Sequence, residues 1–138
     1  MAEVSIHIEA SPEVIWRVLV DVEHWPEWTA SVTSVELLDG GELSVGSTVR
    51  IKQPKMPSMV WRVTELDRLR SFTWTATSGG VAVDANHVIT QSAGGGADVR
   101  LTTAERGLLA PLVRFLAGRR GKRYMEMEAQ GLKRRSES

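Results

Sequence analysis

Apolar and polar residues alternate with a period of two over residues 3–9, EVSIHIE. Val4, Ile6 and Ile8 fall on one side and Ser5, His7 and Glu9 on the other, the pattern of a half-buried strand. The period then lengthens. Val14, Ile15, Val18 and Leu19 recur at helical spacing, and the residues before them carry a start signal. Ser11 is an N-cap, Pro12 suits the first helical position, and Glu13 places a negative charge in the first turn. This helix is predicted to end near Asp21. The stretch that follows, VEHWPEWT, holds two of the five tryptophans around a proline that resists a continuous helix, so a short second helix or tight turn is expected.

From residue 31 to about 106 the period of two returns. Strands are predicted over 31–38, 47–54, 58–66, 71–77, 81–90 and 97–105, with Gly, Pro or Asp at each break in the manner of hairpins. Six consecutive strands with short connections make an antiparallel meander, which the first strand is expected to join. Residues 108–134 change again to helical spacing, through Leu109, Leu112, Leu116, Tyr124 and Met127. A helix of about 27 residues spans about 40 Å, enough to cross a whole sheet. Gly118 and Gly121 in its middle each cost about 1 kcal/mol against Ala and allow a kink or a close approach. The order is β–α–α–β6–α. The fold class is therefore α+β, a curved seven-stranded antiparallel sheet around a long C-terminal helix, with two short helices between strands 1 and 2.

Alternation also assigns the inner face. Met59, Trp61 and Val63 face inward in the third of the six strands. Phe72 and Trp74 do so in the next, where Ser71, Thr73, Thr75 and Thr77 face out. Val81, Val83, Ala85, His87 and Ile89 follow, then Val99, Leu101 and Thr103. From the last helix Leu109, Leu112 and Leu116 are expected inward, with Arg120 or Tyr124 beyond them. Filling the gap between a curved sheet and one helix takes large side chains, and where they fall short an apolar cavity remains.

Composition narrows the class. The chain has 138 residues, which suits one domain over 1–138, and no cysteine, so there is no disulfide framework, thiolate nucleophile or Cys-based metal site. Seventeen basic residues balance seventeen acidic ones, which removes a global pull toward nucleic acid or anionic lipid. No basic-then-apolar leader opens the chain and no apolar run is long enough to span a membrane, so a soluble, cytoplasmic protein is expected. Charge is nevertheless uneven. Residues 114–135 hold eight basic and two acidic side chains, the pattern of a solvated helix face. No aromatic residues interleave with GRRGKR, so nucleic acid is not an expected partner.

Several of these pieces together resemble one superfamily. They are I-x-A-S-P-E-x-I-W at the strand-to-helix step, D-x-x-x-W-P-x-W after it, W-R-V-T-E-L followed by F-T-W, H-x-I before a Gly-rich turn, and E-A-Q-G-L-K in the last helix. The chain resembles the START-related, birch-pollen-allergen-like (SRPBCC) superfamily, and within it the polyketide cyclase/dehydrase-like proteins of bacteria. The resemblance implies a helix-grip architecture, with a cavity between the sheet and the gripped helix, and with Trp25 and Trp28 sealing one end. It is a poor guide to substrate, since carriers, hormone-binding proteins, cyclases and toxins share the fold.

Candidate chemistry is sparse. The chain lacks a nucleophile elbow, a phosphate loop and a dinucleotide fingerprint, and its three histidines have no metal-ligand spacing, so neither cofactor nor metal is expected. His87 stands alone as an ionisable group on an apolar face. Burial would favour its neutral imidazole, able to orient a ligand carbonyl or act as a general base, or simply to sit satisfied in the core. Glu65 shares the parity of Trp61 and Val63 near a strand end, and Arg119 and Arg120 could meet an anionic head group or remain solvated. The reading is a protein that binds a polyketide, lipid or isoprenoid, with cyclase or dehydrase chemistry as an extension. Trp28, Met59, Trp61, Val63, Phe72, Trp74, His87, Ile89, Val99, Leu101, Leu112 and Leu116 form the expected ligand site, with His87 as the catalytic candidate. The alternative is a regulatory or toxin-like interaction module that uses the basic helix. Monomer and homodimer are both open, and the PKMPSM loop is a candidate lid.

Overall fold

The computed structural model describes residues 1–138. Seven strands form one antiparallel sheet: β1 (Ala2–Ile8), β2 (Ser34–Leu37), β3 (Thr48–Lys52), β4 (Met59–Asp67), β5 (Ser71–Ser78), β6 (Val81–Gln91) and β7 (Ala97–Arg106). Their spatial order is β1-β7-β6-β5-β4-β3-β2, the meander expected, with β1 closing against β7. Register follows the hydrophobic alternation. Ile6 lies opposite Val99, Phe72 opposite His87, and Trp74 opposite Ala85. Strand β2 is shorter than predicted because Ser31 and Val32 are buried before pairing begins, where the Ser31 and Thr29 hydroxyls bond each other at 2.7 Å.

One break in register changes a parity assignment. Val63 pairs with Trp74 and Leu66 with Phe72, so Thr64 bulges out of β4. A bulge inserts one residue and exchanges the faces beyond it. Leu66 therefore packs on the core, and Glu65, inward by simple alternation, is exposed.

Helix α1 (Pro12–Val20) starts as its sequence requires, with Ser11 Oγ accepting from the Val14 amide at 3.3 Å and Pro12 at the first position. It buries Ile15, Trp16 and Leu19. A 3-10 turn, Val22–Glu27, follows, with Pro26 inside it. Helix α2 (Ala110–Glu137) runs unbroken through Gly118 and Gly121 for 28 residues, about 42 Å. Its C-terminal half is docked firmly. A β-carbon on Gly131 would collide with the Trp28 carbonyl. Lys133 Nζ donates to the His7 carbonyl at 3.1 Å, the Glu9 amide donates to Glu137 at 2.8 Å, and Arg135 reaches Glu27 at 2.7 Å.

The N-terminal half of α2 departs from expectation. Leu109, Leu112 and Leu116 face solvent, as do Leu108 and Phe115. Packing of Tyr124, Met125, Ala129 and Leu132 sets the rotation of the helix. A position twelve residues before Tyr124 lies about 120° around the axis at 3.6 residues per turn. The inner stripe is instead Ala110, Val113, Ala117, Gly118 and Gly121, all small or medium-sized.

Candidate functional site

Those small inner side chains leave space. A cavity of about 560 Å³ lies between the inner sheet face and the first half of α2, lined by 28 residues of which 16 are hydrophobic. Val113, Ala117, Gly118 and Gly121 form its helical wall, and a β-carbon on either glycine would meet nothing within 4 Å. The sheet supplies Ile51, Met59, Trp61, Trp74, Val83, Ala85, His87, Leu101 and Thr103. Such a volume falls in the range of small-molecule pockets. Buried Trp25, Trp74, Leu101 and Met125 close one end, while exposed Met1, Arg114 and Lys122 line the other, where the cavity meets solvent.

Trp25 does two things at the closed end. Its Nε1 donates to the Leu19 carbonyl at 2.9 Å, which satisfies the buried indole against α1. Its ring then packs 5.4 Å from that of Trp74 and lines the cavity. Trp28, 5.4 Å behind Trp25, packs on Gly131 and lines nothing. The two rings thus divide the roles of wall and backing.

The polar centre of the closed end is a pair from two elements. His87 of β6 is oriented twice by Phe72. Its Nδ1–H donates to the Phe72 carbonyl at 3.1 Å, and the Phe72 ring stacks on the imidazole at 4.1 Å between centroids and 12° between planes. A carbonyl can only accept, so the proton sits on Nδ1 and Nε2 presents a lone pair. Nε2 lies 3.6 Å from Oε2 of Glu128 on α2, too long for a hydrogen bond. Burial, opposed only in part by the Phe72 hydrogen bond, pulls the imidazole pKa down to about 4. Burial pushes the Glu128 carboxyl up to about 8. Both groups are neutral at pH 7, a carboxylic acid facing an unprotonated nitrogen. The His87 side chain is 4% accessible and that of Glu128 16%, and both line the cavity.

At the open end stands a different pair. Arg114 Nε lies 3.5 Å from Glu105 Oε2, a buried oxygen with no hydrogen bond. Loop 53–58 contributes Gln53 and Met56 to the lining and is tied to the helix. Tyr124 Oη donates to the Pro54 carbonyl at 2.6 Å, Arg120 reaches the Lys55 carbonyl at 3.4 Å, and Lys52 Nζ donates to the Gln53 and Met56 carbonyls. No group of three or more His, Asp or Glu side chains converges anywhere in the fold to hold a metal ion.

Residues 2–137 match the family model described as polyketide cyclase / dehydrase and lipid transport. The chain belongs to this family. Solved structures of the same fold cover nearly the whole chain. TTHA0849 from Thermus thermophilus aligns at TM-score 0.76 and 20% identity over 98% of this chain and 95% of that one. A START superfamily protein from Mycobacterium smegmatis aligns at 0.75 and 18% over 99% and 96%. The di-domain ARO/CYC BexL from the BE-7585A biosynthetic pathway aligns at 0.74 and 20%, over 97% of this chain and 45% of that one. These likenesses establish the START-like, helix-grip fold. No curated protein matches the sequence.

The residues singled out by sequence separate into three groups. Met59, Trp61, Trp74, His87 and Leu101 line the cavity. Val63, Phe72, Ile89, Val99 and Trp28 are buried behind the lining, where they support it. Leu112 and Leu116 are on the outer face of α2 and leave the site. Alternation over-assigned Val63, Phe72, Ile89 and Val99 because a strand's inner face packs both the cavity and the α1–α2 core, whereas Trp28 was placed at the site by the resemblance. Glu128 was missed, since an acidic residue in a basic helix reads as solvated. Its signal was position: Tyr124, Glu128 and Leu132 are four apart on one helical stripe.

Proposed function

We propose that the protein binds a small, largely apolar molecule of polyketide, aromatic, lipid or isoprenoid type, with a carbonyl or hydroxyl held at the closed end by His87 and Glu128. The observation that carries this reading is a neutral donor–acceptor pair, unsatisfied by its own members, at the bottom of an apolar cavity. Trp25, Trp61 and Trp74 offer flat walls to rings, and Met56, Met59 and Met125 adapt to irregular ones. A ligand oxygen placed between the pair would accept from the Glu128 carboxylic acid or, as a hydroxyl, donate to His87 Nε2.

The same geometry supports cyclase or dehydrase chemistry as a finer reading. His87 Nε2 takes a proton from the carbon next to a ligand ketone while Glu128 gives its proton to the ketone oxygen. The products are an enol, an imidazolium and a carboxylate, and the last two attract each other where two charges were absent before. The test is native mass spectrometry of the purified protein, then extraction and identification of the bound molecule. A stoichiometric apolar ligand is expected, with His87→Ala weakening its binding by about five- to thirtyfold, the worth of one buried hydrogen bond. Failure both to retain a ligand and to enhance an apolar fluorophore would overturn the reading. Retained binding in Glu128→Gln with turnover lost would select the enzyme over the carrier.

A further inference from the structure

The first half of α2 is amphipathic the wrong way round for a core helix. Its inner face is small, and its outer face carries the large apolar side chains. Leu108 is 95% exposed, Phe115 85%, Leu116 71% and Leu112 51%. Leu108 lies in the turn just before the helix, spacings of three and one place Leu112, Phe115 and Leu116 on one stripe, and Arg119 and Arg123 continue that stripe toward the C-terminus. A continuous exposed apolar patch of this kind marks an interaction surface. Charge says with what. From Gly107 to Arg123 there are five basic residues and no acidic one, in a chain whose total charge is balanced. Arg114 leans on Glu105 and Arg120 on a loop carbonyl, while Arg119, Lys122 and Arg123 are exposed. The first carboxylate along the helix is Glu126, beyond the basic cluster.

We propose that this outer face docks on a bilayer containing anionic lipid, with Leu112, Phe115 and Leu116 seated among the acyl chains and Arg119, Lys122 and Arg123 at the phosphates. Large apolar residues flanked by cations on one helix face are the pattern of an interfacial helix, which lies along a membrane rather than across it. No helix here is long and apolar enough to cross one. A second copy of the chain would bring the same cations against each other, so charge disfavours a self-paired patch. The surface adjoins the open end of the cavity, since Lys122 also lines it. Docking would therefore set that opening at the lipid surface, and it does not depend on what the cavity holds.

The experiment is flotation of the full chain with phosphatidylcholine vesicles, with and without phosphatidylglycerol. Phe115→Ser/Leu116→Ser and Arg119→Gln/Arg123→Gln are compared with the wild type, alongside solution mass by light scattering. All four side chains are exposed, so both variants should melt like the wild type. The wild type is expected to float with phosphatidylglycerol vesicles and to release in high salt. The arginine variant should bind roughly thirtyfold more weakly. The serine variant should lose at least about tenfold at unchanged charge. No flotation with anionic vesicles, or flotation equal in all three proteins, would overturn the proposal. So would a wild-type dimer that the serine variant splits, which would give the patch to a second copy.

Discussion

Glu128 and His87 are each held neutral by burial, and the signs of their effects on stability are opposite. An unfolded Glu loses its proton above about 4.5, whereas Glu128 keeps it to about 8, so across that window stability falls as pH rises. Unfolded His gains a proton below about 6.5, whereas His87 does not until about 4, so across that window stability falls as pH drops. Between 4.5 and 6.5 the two slopes oppose and nearly cancel. From 6.5 to 8, of these two only Glu128 acts, with a slope of up to about 1.4 kcal/mol per pH unit. Urea denaturation at the two ends of that range should show the wild type losing stability relative to Glu128→Gln. Parallel behaviour of the two proteins would mean that Glu128 is already ionised in the native state. Phe72 belongs at this scale too. By bonding Nδ1 and stacking on the ring it fixes which nitrogen faces the cavity, a positioning role carried by a residue that touches no cavity space.

At the scale of the element, α2 changes character along its length, and its glycines record the change. Gly118 and Gly121 sit in open space, whereas Gly131 lies against the Trp28 backbone. Gly118→Ala should therefore stabilise the protein by up to about 1 kcal/mol, the helix propensity difference with no steric term. Gly131→Ala should destabilise it by several times that, because the colliding atom is a main-chain carbonyl that cannot rotate away. Thermal melts of the two variants test this, and shifts of the same sign would contradict the docking of α2 described above. The glycines also show what was legible beforehand. The strands were readable because polar threonines alternate strictly with Phe72 and Trp74, and the start of α1 because Ser11 and Pro12 are local signals. The rotation of α2 was not readable. Leu109, Leu112 and Leu116 proposed one inner face, but the phase is set further along by Tyr124, Met125 and Leu132 against distant elements. An apolar residue is no guarantee of burial, and an acidic one is no guarantee of exposure. Leu112 and Glu128 are the two sides of that error.

For the molecule as a whole, the question is how a ligand reaches a pair at the closed end of the cavity. Two boundaries of the cavity are not sheet or core. One is the gap among Met1, Arg114 and Lys122, already open to solvent. The other is loop 53–58, whose backbone carbonyls are held by Tyr124, Arg120 and Lys52 from outside the loop. Side-chain latches on carbonyls can release without breaking the sheet, so this loop is the boundary expected to open. Tyr124→Phe removes the shortest of the contacts for which the helix is responsible while leaving the ring in place. Hydrogen exchange across 53–58 should then quicken, with β5–β7 unchanged, and a bound ligand should slow the same amides in the wild type. If the variant also admits an apolar fluorophore faster at unchanged affinity, entry passes under the loop. If exchange quickens but the rate of entry does not, the ligand comes in at the open end beside Arg114 and Lys122, and the loop serves only to close the cavity.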